Sequence, residues 1–107
     1  MIYILVTAKV ERNNLKEVFD IYKNTLFPFD DEVYAKTGRT TIGLWTTDIG
    51  DKGEITLLVE FPNLDSYEKY NKVRPPEDVQ KVMNRYAELV PHANYKVLRP
   101  ASFSPLR

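Results

Sequence analysis

Four groups of side chains in this sequence could carry chemistry. His92 is the single histidine. A neutral imidazole suits a general base or a haem ligand, and His92 stands between a helical stretch and the last apolar run. One histidine cannot build a His-rich metal site, and no carboxylate pair at helical spacing accompanies it. The alternative is a surface histidine at a helix C-terminus, where the negative end of the helix dipole favours the imidazolium. Trp45, the single tryptophan, offers an indole N–H and a broad flat face on which a ring-shaped ligand could stack. The same properties suit a tryptophan buried at a subunit seam. Tyr67 and Tyr70 lie one helical turn apart on a stretch flanked by prolines, which suits either a lid over a pocket or a core pair. Asp30, Asp31 and Glu32 place three carboxylates in a row near Pro28. They could offer oxygen ligands to Mg²⁺ or Ca²⁺, but the spacing of a calcium loop is absent, and a solvated helix start is the simpler expectation. No phosphate-binding glycine loop, Ser/His/Asp order or redox motif is present. His92 is thus the catalytic candidate, Trp45, Tyr67 and Tyr70 are the substrate-binding candidates, and neither a metal nor a cofactor is expected.

The elements that must position these groups are centred on Thr41 to Phe61. Here two strand-like runs, Thr41 to Thr47 and Glu54 to Phe61, flank a polar glycine turn from Asp48 to Gly53. Before them, Ile2 to Val10 alternates, with Ile2, Ile4, Val6, Ala8 and Val10 on one face and Tyr3, Leu5, Thr7 and Lys9 on the other. Asn13 or Asn14 can cap a helix carrying Leu15, Val18, Phe19, Tyr22 and Leu26. Pro28 should end or kink that helix, since it has no N–H to donate. Phe29 to Lys36 follows as a second short piece, stopped by Gly38. After the hairpin, Asn63 is placed to cap a helix over Leu64, Tyr67, Tyr70 and Val73, which Pro75-Pro76 breaks. Val79, Val82, Met83, Tyr86, Leu89 and Val90 then form an apolar stripe, with Glu77 and Asp78 at the positive end of the helix. Tyr95 to Leu98 supplies a last short strand. The order β-α-β-β-α-β predicts an α+β, ferredoxin-like fold with a four-stranded antiparallel sheet. Both faces of the first two strands are rich in apolar groups, so a homodimer is expected, with two sheets packed through the face bearing Tyr3, Leu5 and Trp45.

Composition sets the outer bounds. At 107 residues, 43% of them hydrophobic, the chain reads as one domain over 1–107 with an extended tail over 99–107. Fifteen basic and fifteen acidic residues cancel, so no footprint for nucleic acid or an anionic membrane surface is seen. The absence of cysteine excludes disulfides and thiolate chemistry. With no signal-like leader and no long apolar run, a cytoplasmic protein is expected. In the tail, Pro100 and Pro105 preclude regular structure, and Phe103 is expected to lie in an apolar groove of its own subunit or a partner.

The string Gly43-Leu44-Trp45-Thr46-Thr47-Asp48-Ile49-Gly50, the apolar strand after it, and the ending Leu98-Arg99-Pro100 with Phe103-Ser104-Pro105 resemble the NIPSNAP family of the dimeric α+β barrel group. The resemblance spans nearly the whole chain. It implies a dimer in which two ferredoxin-like sheets form one barrel. It implies little about chemistry, although the wider group includes cofactor-free monooxygenases, haem-degrading oxygenases and isomerases of small ring compounds. Family members often carry Glu and Arg where this chain has Ile4 and Val6, and His and Trp where Leu57 and Val59 align. A site built on those four groups cannot operate here. The haem-degrading relatives use an Asn–Trp–His set; Trp45 and His92 are present, but Thr7 stands where the Asn is wanted.

Two function classes follow. One is a small-molecule binder or enzyme using a pocket between sheet and helices, of the cofactor-free oxygenase or isomerase type. The other is a non-catalytic interaction protein in which the barrel serves as a dimeric scaffold. A deep pocket with Trp45 or His92 at its wall would favour the first, and a filled interior the second.

Overall fold

The computed structural model describes residues 1–50 and 53–105, the side chains of residues 34 and 35 excepted. Asp51 and Lys52 of the expected turn, and Leu106 and Arg107 of the tail, lie outside the described residues. Strand β1 spans Ile2–Lys9, β2 Thr40–Thr46, β3 Glu54–Phe61 and β4 Ala93–Leu98. They form one antiparallel sheet in the order β2-β3-β1-β4. Helices α1 (Leu15–Ile21) and α2 (Phe27–Thr37) precede the hairpin, and α3 (Leu64–Asn71) and α4 (Glu77–Leu89) follow it. This is the expected ferredoxin-like α+β fold.

Strand alternation decides what each side of the sheet shows. Ile2, Ile4, Val6 and Ala8 of β1 stand opposite Phe61, Val59, Leu57 and Ile55 of β3. Directly opposed residues share a face, and these eight make the floor on which the helices pack. Phe61 is 1% exposed and Val18 of α1 is fully buried against that floor. Burying one such side chain contributes about 1.5–3 kcal/mol. Val82, Tyr86 and Leu89 of α4 pack on the same cluster, as their helical spacing predicts.

The first helical region departs from expectation at two points. Asn14 makes no side-chain cap; a 3₁₀ turn over Arg12–Asn14 leads in, with the Asn14 N–H donating to the Glu11 carbonyl at 2.8 Å. Pro28 neither ends nor interrupts the helix. A π turn over Tyr22–Leu26 comes directly before α2, and the Phe27 N–H donates to the Tyr22 carbonyl, five residues back. The wider turn lets the chain pass the residue that lacks a donor.

At the other end of α2, Gly38 adopts φ +74°, and a Cβ there would lie 2.8 Å from the Pro62 ring. Only glycine meets both demands. On β2 a register shift falls between Thr41 and Gly43. The Trp45 ring lies over Gly43, where a Cβ would come within 2.7 Å of it. As expected, the Asn63 side chain caps α3, accepting from the Ser66 N–H at 2.9 Å. The tail bends through a turn closed by the Ser104 N–H donating to the Ala101 carbonyl at 2.9 Å. Phe103 is 86% exposed, so no groove of its own subunit receives it.

Candidate functional site

Between the sheet and the helices lies a cavity of about 320 Å³. Its floor is aliphatic: Ile4 and Val6 of β1 with Val59 and Leu57 of β3. Ile4 pairs with Val59 and Val6 with Leu57, so the four positions do adjoin. The polar groups of the wall come instead from the helices and from the approach to β2.

Arg39 is the central one. Gly38 ends α2 by turning left-handed, and Arg39 enters β2 two residues before Thr41, so the two side chains share the helix-facing side. Arg39 Nη1 lies 2.9 Å from Asp30 Oδ2 and donates to Thr41 Oγ1 at 2.9 Å. Its guanidinium carbon stands 5.0 Å from the centre of the Tyr70 ring, close enough for a cation–π contact. Arg39 is 6% exposed and Asp30 7%, so the pair sits in a low-dielectric wall rather than in solvent. Burial pushes the Asp30 carboxyl up to about 6, against the opposing pull of Arg39 and with a smaller push from Asp31. Buried charges persist only when paired, and here each is.

The tyrosines complete the wall. The Tyr22 and Tyr86 hydroxyls lie 2.6 Å apart, and their rings meet edge to face at 5.4 Å. The π turn places Tyr22 inward. Burial raises both hydroxyls above the ordinary range, with Tyr86 reinforcing the rise at Tyr22 and the Tyr22 bond opposing it at Tyr86. Tyr67 and Tyr70 project from one side of α3 and pack on Phe61, at 5.4 and 5.6 Å between ring centres. Burial also raises Tyr70, while Arg39 pulls it back. Tyr95 of β4 lines the cavity as well and is 67% exposed, which marks where the cavity meets solvent.

The four residues singled out from sequence divide. Tyr67 and Tyr70 both line the cavity. Trp45 does not: it pairs with Thr56 on the opposite face of the sheet, 49% exposed. His92 is exposed on the turn between α4 and β4 and is not among the cavity residues. Thr7 also pairs with Thr56, so Thr7 and Trp45 lie on the open face, away from the cavity. The acidic run at Asp30 needs correction. Asp31 and Glu32 are exposed, but Asp30 is turned inward as the partner of Arg39. Among the described residues, no group of three His, Asp or Glu is placed to hold a metal ion.

A helix-covered antiparallel sheet of this strand order, with a cavity under the helices, defines a ferredoxin-like α+β protein. The chain belongs to the NIPSNAP family, whose model matches residues 29–105. It is similar in structure to a NIPSNAP family protein from Agrobacterium tumefaciens, with a TM-score of 0.83 at 20% identity over 99% of this chain and 98% of that one. An uncharacterised NIPSNAP domain protein from Burkholderia xenovorans gives a TM-score of 0.73 at 17% identity over 98% and 99%. A protein described as an antibiotic biosynthesis monooxygenase gives 0.62 at 12% identity over 94% and 99%. No functionally curated protein matches the chain.

Proposed function

We propose that this protein binds a small, flat, largely apolar or aromatic molecule in the cavity between sheet and helices, and transforms it by cofactor-free oxygenase or isomerase chemistry. The observation that carries this reading is the wall itself: a buried Asp30–Arg39 pair and ringed tyrosines over an aliphatic floor. Pockets with apolar linings and a few convergent polar groups suit such ligands, and about 320 Å³ accommodates one or two fused rings. Tyr67 and Tyr70 supply ring faces, and Arg39 and Asp30 supply orientation. A carboxyl that titrates near 6 holds or releases a proton close to neutral pH. The protein works in this reading as a homodimer formed through the open sheet face.

Native mass spectrometry after gentle purification tests the proposal. A retained small molecule that is lost on Met83→Trp, a change that fills the cavity, supports it. No retained mass, with no thermal shift from any member of a set of one- and two-ring aromatics, overturns it. One observation favours a second reading, the non-catalytic scaffold: the floor carries no titratable group at all. A wild type that retains no ligand, together with a Met83→Trp protein that is more stable, would favour the scaffold.

A further inference from the structure

We infer that the cavity takes an aromatic carboxylic acid, whose carboxylate docks on Arg39 while Asp30 takes up a proton. This rests on the ligand-binding reading of the cavity and goes beyond it by naming the ligand class. Three observations converge. Arg39 is a buried cation in the cavity wall, and its bonds to Asp30 and Thr41 both use Nη1. A guanidinium has a planar fork of five N–H donors matched to carboxylates, so donors remain on Nε and Nη2 outside those two bonds, with the Tyr70 hydroxyl as a further hydrogen-bonding neighbour of the fork. Tyr70 lies against the face of the same guanidinium, and Tyr67 lies one turn before it on α3, so ring faces flank the anchor.

A ligand carboxylate on Arg39 would put two anions on one buried cation. Like charges at such a site cannot both stay ionised cheaply, so one takes a proton. Asp30 is the member already disposed to do so, since burial holds it near 6 before any ligand arrives. The groups facing Asp30 do not replace it in this role. Asp31 on its own helix is exposed, Arg39 before β2 is its partner, and Tyr70 of α3, Tyr22 of the π turn and Tyr86 of α4 are all pushed up by burial. Tyr95 of β4 faces the same space at its solvent side. Binding is therefore linked to uptake of a proton at Asp30 Oδ.

Isothermal titration with benzoate, 2-naphthoate and 4-biphenylcarboxylate, each beside its amide, tests this in buffers of different ionisation heat. An aromatic carboxylate stays ionised above about pH 5, as an unperturbed Glu does. At least one acid is expected to bind about tenfold more tightly near pH 5.5 than near pH 7.5, with uptake of about one proton at the higher pH. Its amide should bind with no such dependence. Asp30→Asn imitates the protonated carboxyl and leaves Arg39 in place, so it should bind the same acid with a flat pH profile. Acid and amide binding equally, with no proton uptake, would overturn the carboxylate assignment and leave the cavity reading standing. If none of the six probes binds to the wild type or to Asp30→Asn at millimolar concentration, both fall.

Discussion

The two faces of this sheet are made by the same strands and solve different problems. On the helix side, every strand position of the β1–β3 floor is aliphatic or aromatic, and the buried ions and two of the tyrosines around it are paired. Asp30 meets Arg39, Arg39 meets Thr41, and Tyr22 meets Tyr86. On the open side, Tyr3, Leu5 and Thr7 stand opposite Glu60, Leu58 and Thr56, and Trp45 stands half exposed. Tyr3 is 4% exposed, and the Glu60 carboxylate opposite it on β3 is the polar group beside its hydroxyl. Burial, and then the neighbouring Glu60, push that hydroxyl above its ordinary range. The helix face thus pairs its ions within one chain, although Tyr95 and Val97 of β4 on that side stay exposed, and the open face carries Trp45 half exposed and Leu98 partly so.

The strongest way to break the helix face is to remove one ion of its pair. Arg39→Ala leaves Asp30 buried without its cation and should cost about 3–5 kcal/mol in denaturant melts near neutral pH. Replacing both, as Asp30→Leu with Arg39→Met, should recover most of that loss, because a packed apolar pair needs no charge balance. A loss below about 1 kcal/mol for Arg39→Ala would mean that solvent reaches the pair.

Acid titration sharpens the same point, because the pair and the surface respond with opposite signs. The Asp30 carboxyl is raised from 3.8 to about 6 in the folded chain, so the folded state holds the proton more tightly than the unfolded one. Its contribution is fully present below about pH 4 and is lost as pH rises through about 6. The loss is on the order of 2–3 kcal/mol. Glu17 behaves in reverse: hydrogen bonds from Arg85, at 2.7 and 3.0 Å, hold it below its usual value. What it contributes is present above that usual value and fades as pH falls. Asp30→Asn should remove the fall in stability between about pH 4 and 7 and leave the acid limb unchanged. If wild type and variant give parallel curves, Asp30 titrates as an exposed carboxyl.

For the open face, Leu5→Glu is the sharper probe. Leu5 stands opposite Leu58 at the centre of that face, so a carboxylate there should weaken a sheet-to-sheet dimer by about 2 kcal/mol or more. Its effect on the fold of one chain should be small. Sedimentation of the wild type as a stable monomer at low micromolar concentration would remove the proposed dimer altogether.

Much of this was legible from periodicity. The β3 strand, the α4 stripe and the Asn63 cap follow from side-chain spacing and one capping rule, all local signals. The faces of β1 were readable for the same reason. The Asp30–Arg39 pair was not legible. Its members lie nine positions apart, across a helix end and a left-handed glycine, and no regular spacing marks them. Three acidic residues in a row look like solvated charge until one is known to face inward. The sign that could have found it was Arg39 itself, a long cation between Gly38 and a strand start, two residues from Thr41 on the same face. Pro28 misled for a different reason: a proline breaks an α-helix, but a π turn before it removes the demand for its missing N–H.

The smallest expected effect belongs to His92, the residue that sequence alone nominated for catalysis. It lies in the turn after α4, exposed, where its imidazole faces water rather than the cavity wall. Exposed substitutions away from special contacts usually change stability by no more than about 0.5 kcal/mol, and His92→Ala should fall in that range by denaturant melts. In the comparison of faces it acts as a control. It belongs neither to the tyrosine-lined wall nor to the apolar open side, so removing it should leave ligand binding in the cavity and sedimentation behaviour as they are. A loss of ligand affinity on His92→Ala, with the fold intact, would move the chemistry from the Asp30–Arg39 wall to the rim beside β4. A loss of dimer alone would place His92 in the subunit seam. A loss of stability well above 0.5 kcal/mol would make it a structural group, bonded in a way that its exposure in one chain does not require.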